Sequence, residues 1–246
     1  TINRLNGDYM SIFAISDVHL SLGCDKPMDV FGSKWLNYTE RMRKNWNSIV
    51  TAGDYVINPG DISWATYIDD AVRDFEYINN LNGKKILLKG NHDYWWTTAS
   101  KMTKFFEKNN FDTIRFVQNN SVIISDNNRK IAICGTRGWI IPPLGSIGED
   151  RKIFEREKQR LVLSFQDALR SNPDKIIAAM HYPPVEKDAE SSDFIRIMSE
   201  FNADECVFGH LHAASHINAP HGVYGGIRLR LVSCDYLNFV PLLILK

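Results

Sequence analysis

Short apolar runs alternate along this chain with stretches in which apolar residues recur at helical spacing. That alternation is the pattern of an α/β protein. The apolar runs predict strands over 10–16, 54–59, 85–88, 114–117, 121–125, 130–135, 175–180, 204–208, 227–233 and 239–245. Between them, helices are predicted over 38–51, 65–81, 98–109, 149–171 and 191–201. The clearest helix is 149–171, where Phe154, Leu161, Phe165 and Ala168 share one face and acidic residues lead the first turn.

A chain of 246 residues with 44% apolar content can bury a large core. No repeat, low-complexity tract or Pro/Gly-rich linker divides it, so residues 10–246 are read as one domain. The first nine residues, TINRLNGDY, are polar and without period, and are read as an extension that precedes the opening strand at Met10.

Charge and cysteine usage narrow the function classes. Lysine plus arginine (29) equals aspartate plus glutamate (29), so no bulk positive field is available to hold long nucleic acid or an anionic membrane. Cys24, Cys134, Cys206 and Cys234 form no CxxC pair, which reads as free thiols in a reducing cytoplasm. There is neither a long apolar span nor a basic-then-apolar leader, and the expectation is a soluble cytoplasmic protein.

Chemistry gathers where the strands stop. In KILLKGNHDYWWTT a buried strand runs out at Gly90 into Asn91, His92 and Asp93. The same kind of ending occurs in FAISDVHLS (Asp17, His19), VINPGDISW (Asp61), IAAMHYPP (His181) and CVFGHLHAA (His210, His212). A lone D-x-H or GD is more often a turn than a ligand. Here, however, five of the chain's seven histidines sit at these endings, leaving only His216 and His221 elsewhere. In a mostly parallel sheet the carboxyl ends of strands share one edge, so residues far apart in sequence converge there. Within extended chain, residues two apart point the same way, which would aim Asp17 with His19 and His210 with His212 at one place.

Imidazoles mixed with carboxylate and amide oxygens suit divalent ions such as Mn²⁺, Fe²⁺ or Zn²⁺, and the absence of a thiolate set argues against structural zinc. The donors exceed the needs of one ion, so two are expected, bridged by a carboxylate at about 3.5–4 Å.

The order D-x-H, GD, GNHD, H, GHLH resembles that of the calcineurin-like metallophosphoesterase superfamily. The resemblance spans residues 17 to 212. It implies a four-layer α/β/β/α sandwich of two mixed sheets flanked by helices. It also implies that Asp17, His19, Asp61 and His212 hold one ion and Asp61, Asn91, His181 and His210 the other, with Asp61 as the bridge. His92 is similar to the family's catalytic histidine and Asp93 to its orienting partner. The segments GTRGW (135–139), HYPP (181–184) and LVSCDYLNF (231–239) resemble a bacterial branch of predicted phosphohydrolases. Two departures are informative. GNHD carries histidine where the related lipid A precursor hydrolases have arginine, and GDISWAT replaces the GDxxDRG of protein Ser/Thr phosphatases.

Two neighbours of the motifs are candidate substrate contacts: Arg137, which can fork two donors onto a phosphate, and Trp64, which can stack on a base. The Gly- and Pro-rich loop 137–150 is a candidate cover for the site. The expected activity is hydrolysis of a small phosphate mono- or diester by a metal-bridging hydroxide, with His92 as general acid. The alternatives are a nuclease, which the neutral charge disfavours, and a non-catalytic scaffold, which would have no need of an intact ligand set.

Overall fold

The computed structural model describes residues 10–246, so the expected N-terminal extension, residues 1–9, lies outside the described residues. The strands are β1 (Ile12–Ala14), β2 (Tyr55–Asn58), β3 (Lys84–Leu87), β4 (Ile114–Phe116), β5 (Val122–Asp126) and β6 (Arg129–Thr136), followed by β7 (Lys175–Met180), β8 (Glu205–Phe208), β9 (Gly222–Tyr224), β10 (Ile227–Leu231) and β11 (Leu242–Leu245). The helices are α1 (Tyr38–Ile49), α2 (Val72–Asn79), α3 (Ala99–Lys108), α4 (Glu149–Leu169) and α5 (Asp193–Glu200).

These strands form two sheets, ordered β11-β1-β2-β3-β4 and β5-β6-β7-β8-β10-β9. Strands β1 to β4 are parallel, as are β6, β7, β8 and β10, whereas β5, β9 and β11 run antiparallel to their neighbours. The sheets are therefore mixed, and each has a block of parallel strands whose carboxyl ends lie at one edge.

The apolar runs lack polar alternation because both faces of each sheet are covered. Ile12, Ala14, Ile57 and Ile86 of the first sheet meet Ile131, Ile133, Ile177, Ala179 and Val207 of the second in the layer between them. The intervening residues point outward. Phe13 and Val56 pack with Met42 and Trp46 of α1, Phe75 of α2 and Phe105 of α3, while Ala132, Cys134, Ala178 and Met180 pack with Phe154, Leu161 and Phe165 of α4 and Phe194 of α5. The result is the helix–sheet–sheet–helix sandwich.

Most elements lie within a few residues of the sequence-based expectation. One strand has no counterpart there. β9 is three residues long and mostly exposed at a sheet edge, too short and too wet to leave an apolar run. The helix expected to start at 65 begins at Val72, after a tighter 3-10 turn over Ile68–Ala71. Among the described residues all four cysteines are free and no helix is long and apolar enough to cross a membrane.

Candidate metal centre

The donors are delivered by backbone that leaves the extended region. Asp17, His19, Asp61 and His210 have φ of 59°, 44°, 54° and 72°, left-handed values that cost a residue with a Cβ about 1 kcal/mol or more. The expectation that a pleat aims Asp17 with His19, and His210 with His212, is therefore corrected. Successive turns aim them, and the neighbouring chain holds those turns in place. Asp17 N–H donates to the Gly60 carbonyl at 2.9 Å, and His19 N–H to the Asp61 carbonyl at 3.0 Å, so the loops after β1 and β2 are zipped together. Glycines let these loops approach: a Cβ on Gly60 would run into the Gly90 backbone, one on Gly90 into the Asp61 backbone and carboxylate, and one on Gly209 into the Asp17 carboxylate.

Asp93 also departs from expectation. It does not orient the His92 ring. Its buried carboxylate accepts the backbone N–H groups of Asp61 (2.8 Å), Ile62 (2.8 Å), Ser63 (3.2 Å) and Gly90 (2.7 Å), and the indole N–H of Trp95 (3.0 Å). Every acceptor position is spent on clamping the GD loop to the GNHD loop. The role assigned to Asp93 was wrong because sequence adjacency does not reveal that its side chain turns inward. Asp61 in turn accepts the His92 N–H at 2.8 Å, which fixes that residue's backbone but leaves its ring free.

All the expected donors converge. His19 Nε2 lies 3.2 Å from His212 Nε2 and 3.6 Å from Asp61 Oδ2, and His212 Nε2 is 3.3 Å from Asp17 Oδ1. On the other side of Asp61, His181 Nε2 lies 3.4 Å from its Oδ2 and 2.6 Å from Asn91 Oδ1. His210 Nδ1 is 2.9 Å from Asn91 Oδ1 and 3.3 Å from His181 Nε2. Two trios, Asp17–His19–His212 and Asp17–Asp61–His181, each bring donor atoms within 4.8 Å of one another. Asp17 belongs to both trios. Asp61 is likewise within reach of His19 on one side and His181 on the other.

The protonation pattern is one that could hold a cation. Burial drives the His19 imidazole down to about 3, and it lowers those of His181, His210 and His92 as well, so their ring nitrogens present lone pairs at neutral pH. Burial, with Asp93 and Asp17 close by, pushes the Asp61 carboxyl up to about 9. Burial also works to raise Asp17, but its hydrogen bond to His212 and the surrounding imidazoles outweigh that and hold it far below the usual range. His212 is the exception among the imidazoles: burial opposes its charge, yet Asp17 and Asp235 raise it to about 10. The lone pairs of His181 Nε2 and His210 Nδ1, 3.3 Å apart, and the other ring nitrogens of His19 and His181, buried without a hydrogen bond among the described residues, suit a divalent ion.

Sequence reasoning missed Asp235. Its carboxylate takes a hydrogen bond from His212 Nδ1 at 3.0 Å and lies 3.3 Å from His216 Nε2, which leaves His212 Nε2 to face the centre. The signal was present, since LVSCDY after β10 is one more strand ending in a carboxylate. Tyr182 was missed too. Its ring packs 4.1 Å from that of His210 and 5.2 Å from that of Trp139.

Trp64 stacks on the ring of His19 at 4.9 Å and lies 4.5 Å from that of His92, so it serves as a platform for two imidazoles. His92 is half-buried, and its Nδ1 has no partner among the described residues. Arg137 sits over Trp139 at 4.5 Å and 3.7 Å from the buried Glu157. The loop that starts there contributes Trp139, Ile140 and Ile141 to a cavity of about 580 Å³ that opens beside His210, while Leu144 and Ile147 face solvent.

A family model described as calcineurin-like phosphoesterase matches residues 10–214. None of the curated proteins compared with the sequence matches it significantly. Among solved structures, the phosphopantetheinyl hydrolase PptH of Mycobacterium tuberculosis is 14% identical with a TM-score of 0.55, covering 97% of this chain and 96% of that one. The protein TT1561 of Thermus thermophilus is 13% identical with a TM-score of 0.57, covering 90% of this chain and 88% of that one. At such identities the likeness is one of fold.

Proposed function

The chain belongs to the calcineurin-like phosphoesterase family, and from that premise we propose that it hydrolyses the phosphoester bond of a small molecule at a centre of two divalent ions. The observation that carries this reading is the convergence, around Asp61 Oδ2, of neutral imidazoles from both sheets, His19 at 3.6 Å and His181 at 3.4 Å, with Asn91 beside the second. One ion is assigned to Asp17, His19, Asp61 and His212 and the other to Asp61, Asn91, His181 and His210. When bound, the ions supply positive charge to the phosphate oxygens and bring the acidity of a water to near neutral pH. Mn²⁺, Fe²⁺ and Zn²⁺ suit the mixed nitrogen and oxygen set.

The remaining work falls to the chain. Asp93 holds the two loops that carry Asp61 and Asn91 in register, so the donors are pre-positioned. Asp235 keeps the proton of His212 on the nitrogen that faces away from the centre. His92 is assigned as proton donor to the leaving oxygen. Among the described residues no carboxylate hydrogen-bonds its ring, and burial favours its neutral form, so the incoming phosphate is the negative charge that holds the proton on it. The cavity beside His210, with Trp139, Tyr182 and Val185 in its wall, has room for the organic part of the substrate.

The test is metal analysis of the purified protein followed by assays with nitrophenyl phosphate, bis-nitrophenyl phosphate and alkyl phosphoesters. Hydrolysis that disappears with chelation and returns with Mn²⁺ is the expected result. A fully metal-loaded protein inert towards every mono- and diester would sink the reading.

A further inference from the structure

Beyond the donor cluster, the ends of β3 and β6 and one face of α4 enclose a second cavity of about 150 Å³, lined among others by Lys89, Gln118, Thr136, Arg137, Glu157 and Arg160. Its charges do not balance. Three cations line it against one carboxylate, which leaves an excess of two positive charges. Glu157 is fully buried and already engaged, accepting from Arg160 Nη1 at 2.7 Å and Thr136 Oγ1 at 2.5 Å with Arg137 Nη2 at 3.7 Å. Lys89 has no hydrogen bond or ion pair among the described residues, and Arg137 Nε is buried without a partner. Three part-buried cations facing one cavity with a single carboxylate between them repel one another, and an anion in the cavity relieves that repulsion.

Its location says which anion. Lys89 stands two residues before Asn91, and the Arg137 carbonyl accepts the N–H groups of His181 (3.1 Å) and Tyr182 (3.0 Å), so both cations hang from the strand ends that also carry metal-centre donors. A volume equal to about five waters suits one phosphate group rather than a nucleoside. We infer that Lys89, Arg137 and Arg160 form an anion subsite for the second phosphate of a substrate whose scissile phosphate meets the donor cluster. The substrate class is then a small bisphosphorylated molecule. This rests on the phosphoesterase reading above.

The test uses paired monophosphates and bisphosphates of simple diols of increasing spacer length. With the protein as purified, calorimetric titration should show at least one bisphosphate binding about tenfold or more tightly than its monophosphate, the scale of one or two charge-assisted hydrogen bonds. kcat/KM of the Mn²⁺-loaded enzyme should rise by a similar factor. Lys89→Gln breaks no ion pair of the protein and should erase both advantages with the metal content and circular-dichroism melt of the wild type; Arg160→Gln should also erase them, with a lowered melt because it takes a partner from the buried Glu157.

Equal binding of every pair, or a preference that survives both variants, overturns the subsite. Lys89-dependent binding of inorganic phosphate without any gain for bisphosphates would assign the anion to a separate ligand and overturn the substrate class. If the bisphosphate preference in binding is present and Lys89-dependent but nothing is hydrolysed, the subsite stands and the phosphoesterase reading falls. Hydrolysis without preference is the reverse case.

Discussion

The two sheets meet at one centre but equip it differently. Carboxylates from the five-stranded side are tied into backbone. Asp93 takes four main-chain N–H groups, Asp61 takes that of His92, and Asp17 reaches across to accept that of His210 at 3.0 Å. Imidazoles from the six-stranded side lean on side chains instead: His210 on the ring of Tyr182, and His212 on the carboxylate of Asp235. A carboxylate on the first side is thus part of the fold as well as of the centre, whereas an imidazole on the second side can be lost without unzipping a loop.

Replacing Asp61 should have the largest effect. Asp61→Ala removes a carboxylate that lies within reach of His19 on one side and His181 on the other, and it should lose more bound metal than His19→Ala and bring hydrolysis to background; elemental analysis decides, and wild-type metal content in Asp61→Ala would dissolve the contrast. Next comes His92→Ala. It should keep the metal content of the wild type while kcat on an alkyl phosphoester falls roughly 10²–10⁴-fold, with a smaller loss on a nitrophenyl ester whose leaving group needs no proton. Equal losses on the two would turn His92 into an electrostatic contact.

Asp93→Asn separates clamp from chemistry. An amide cannot accept all the N–H groups that the carboxylate holds, so stability should drop by about 2–4 kcal/mol, read as a lowered melting temperature. A melt like that of the wild type would mean the loops are held otherwise. Asp235→Asn probes the imidazole side and should leave the melt nearly unchanged while weakening metal binding about 10–100-fold.

The smallest effect is one of pH. Metal must displace the proton of His212, which sits between Asp17 and Asp235 and is raised to about 10, so affinity should climb as pH rises from neutral towards that value. Isothermal titration across this range measures the slope, and Asp235→Asn should flatten it.

Much of this was legible in the chain. Apolar runs without polar alternation identify strands covered on both faces, because a face in contact with water would have demanded polar residues at every second place. Five strand ends bearing Asp, His and Asn picked out residues that do converge in the fold, since such groups at the end of a buried strand must find partners or an ion. What the residues do with their side chains was decided only in three dimensions. His92 and Asp93 are adjacent, yet one turns its ring towards the centre with a free nitrogen while the other turns inward to four backbone N–H groups. Asp235 and His212 lie 23 residues apart and meet only because β10 lies beside β8. Residue type and spacing determine which chemistry a chain is able to perform; the direction of a side chain depends on φ and on which distant N–H is left unpaired, and neither quantity exists before the sheets have packed.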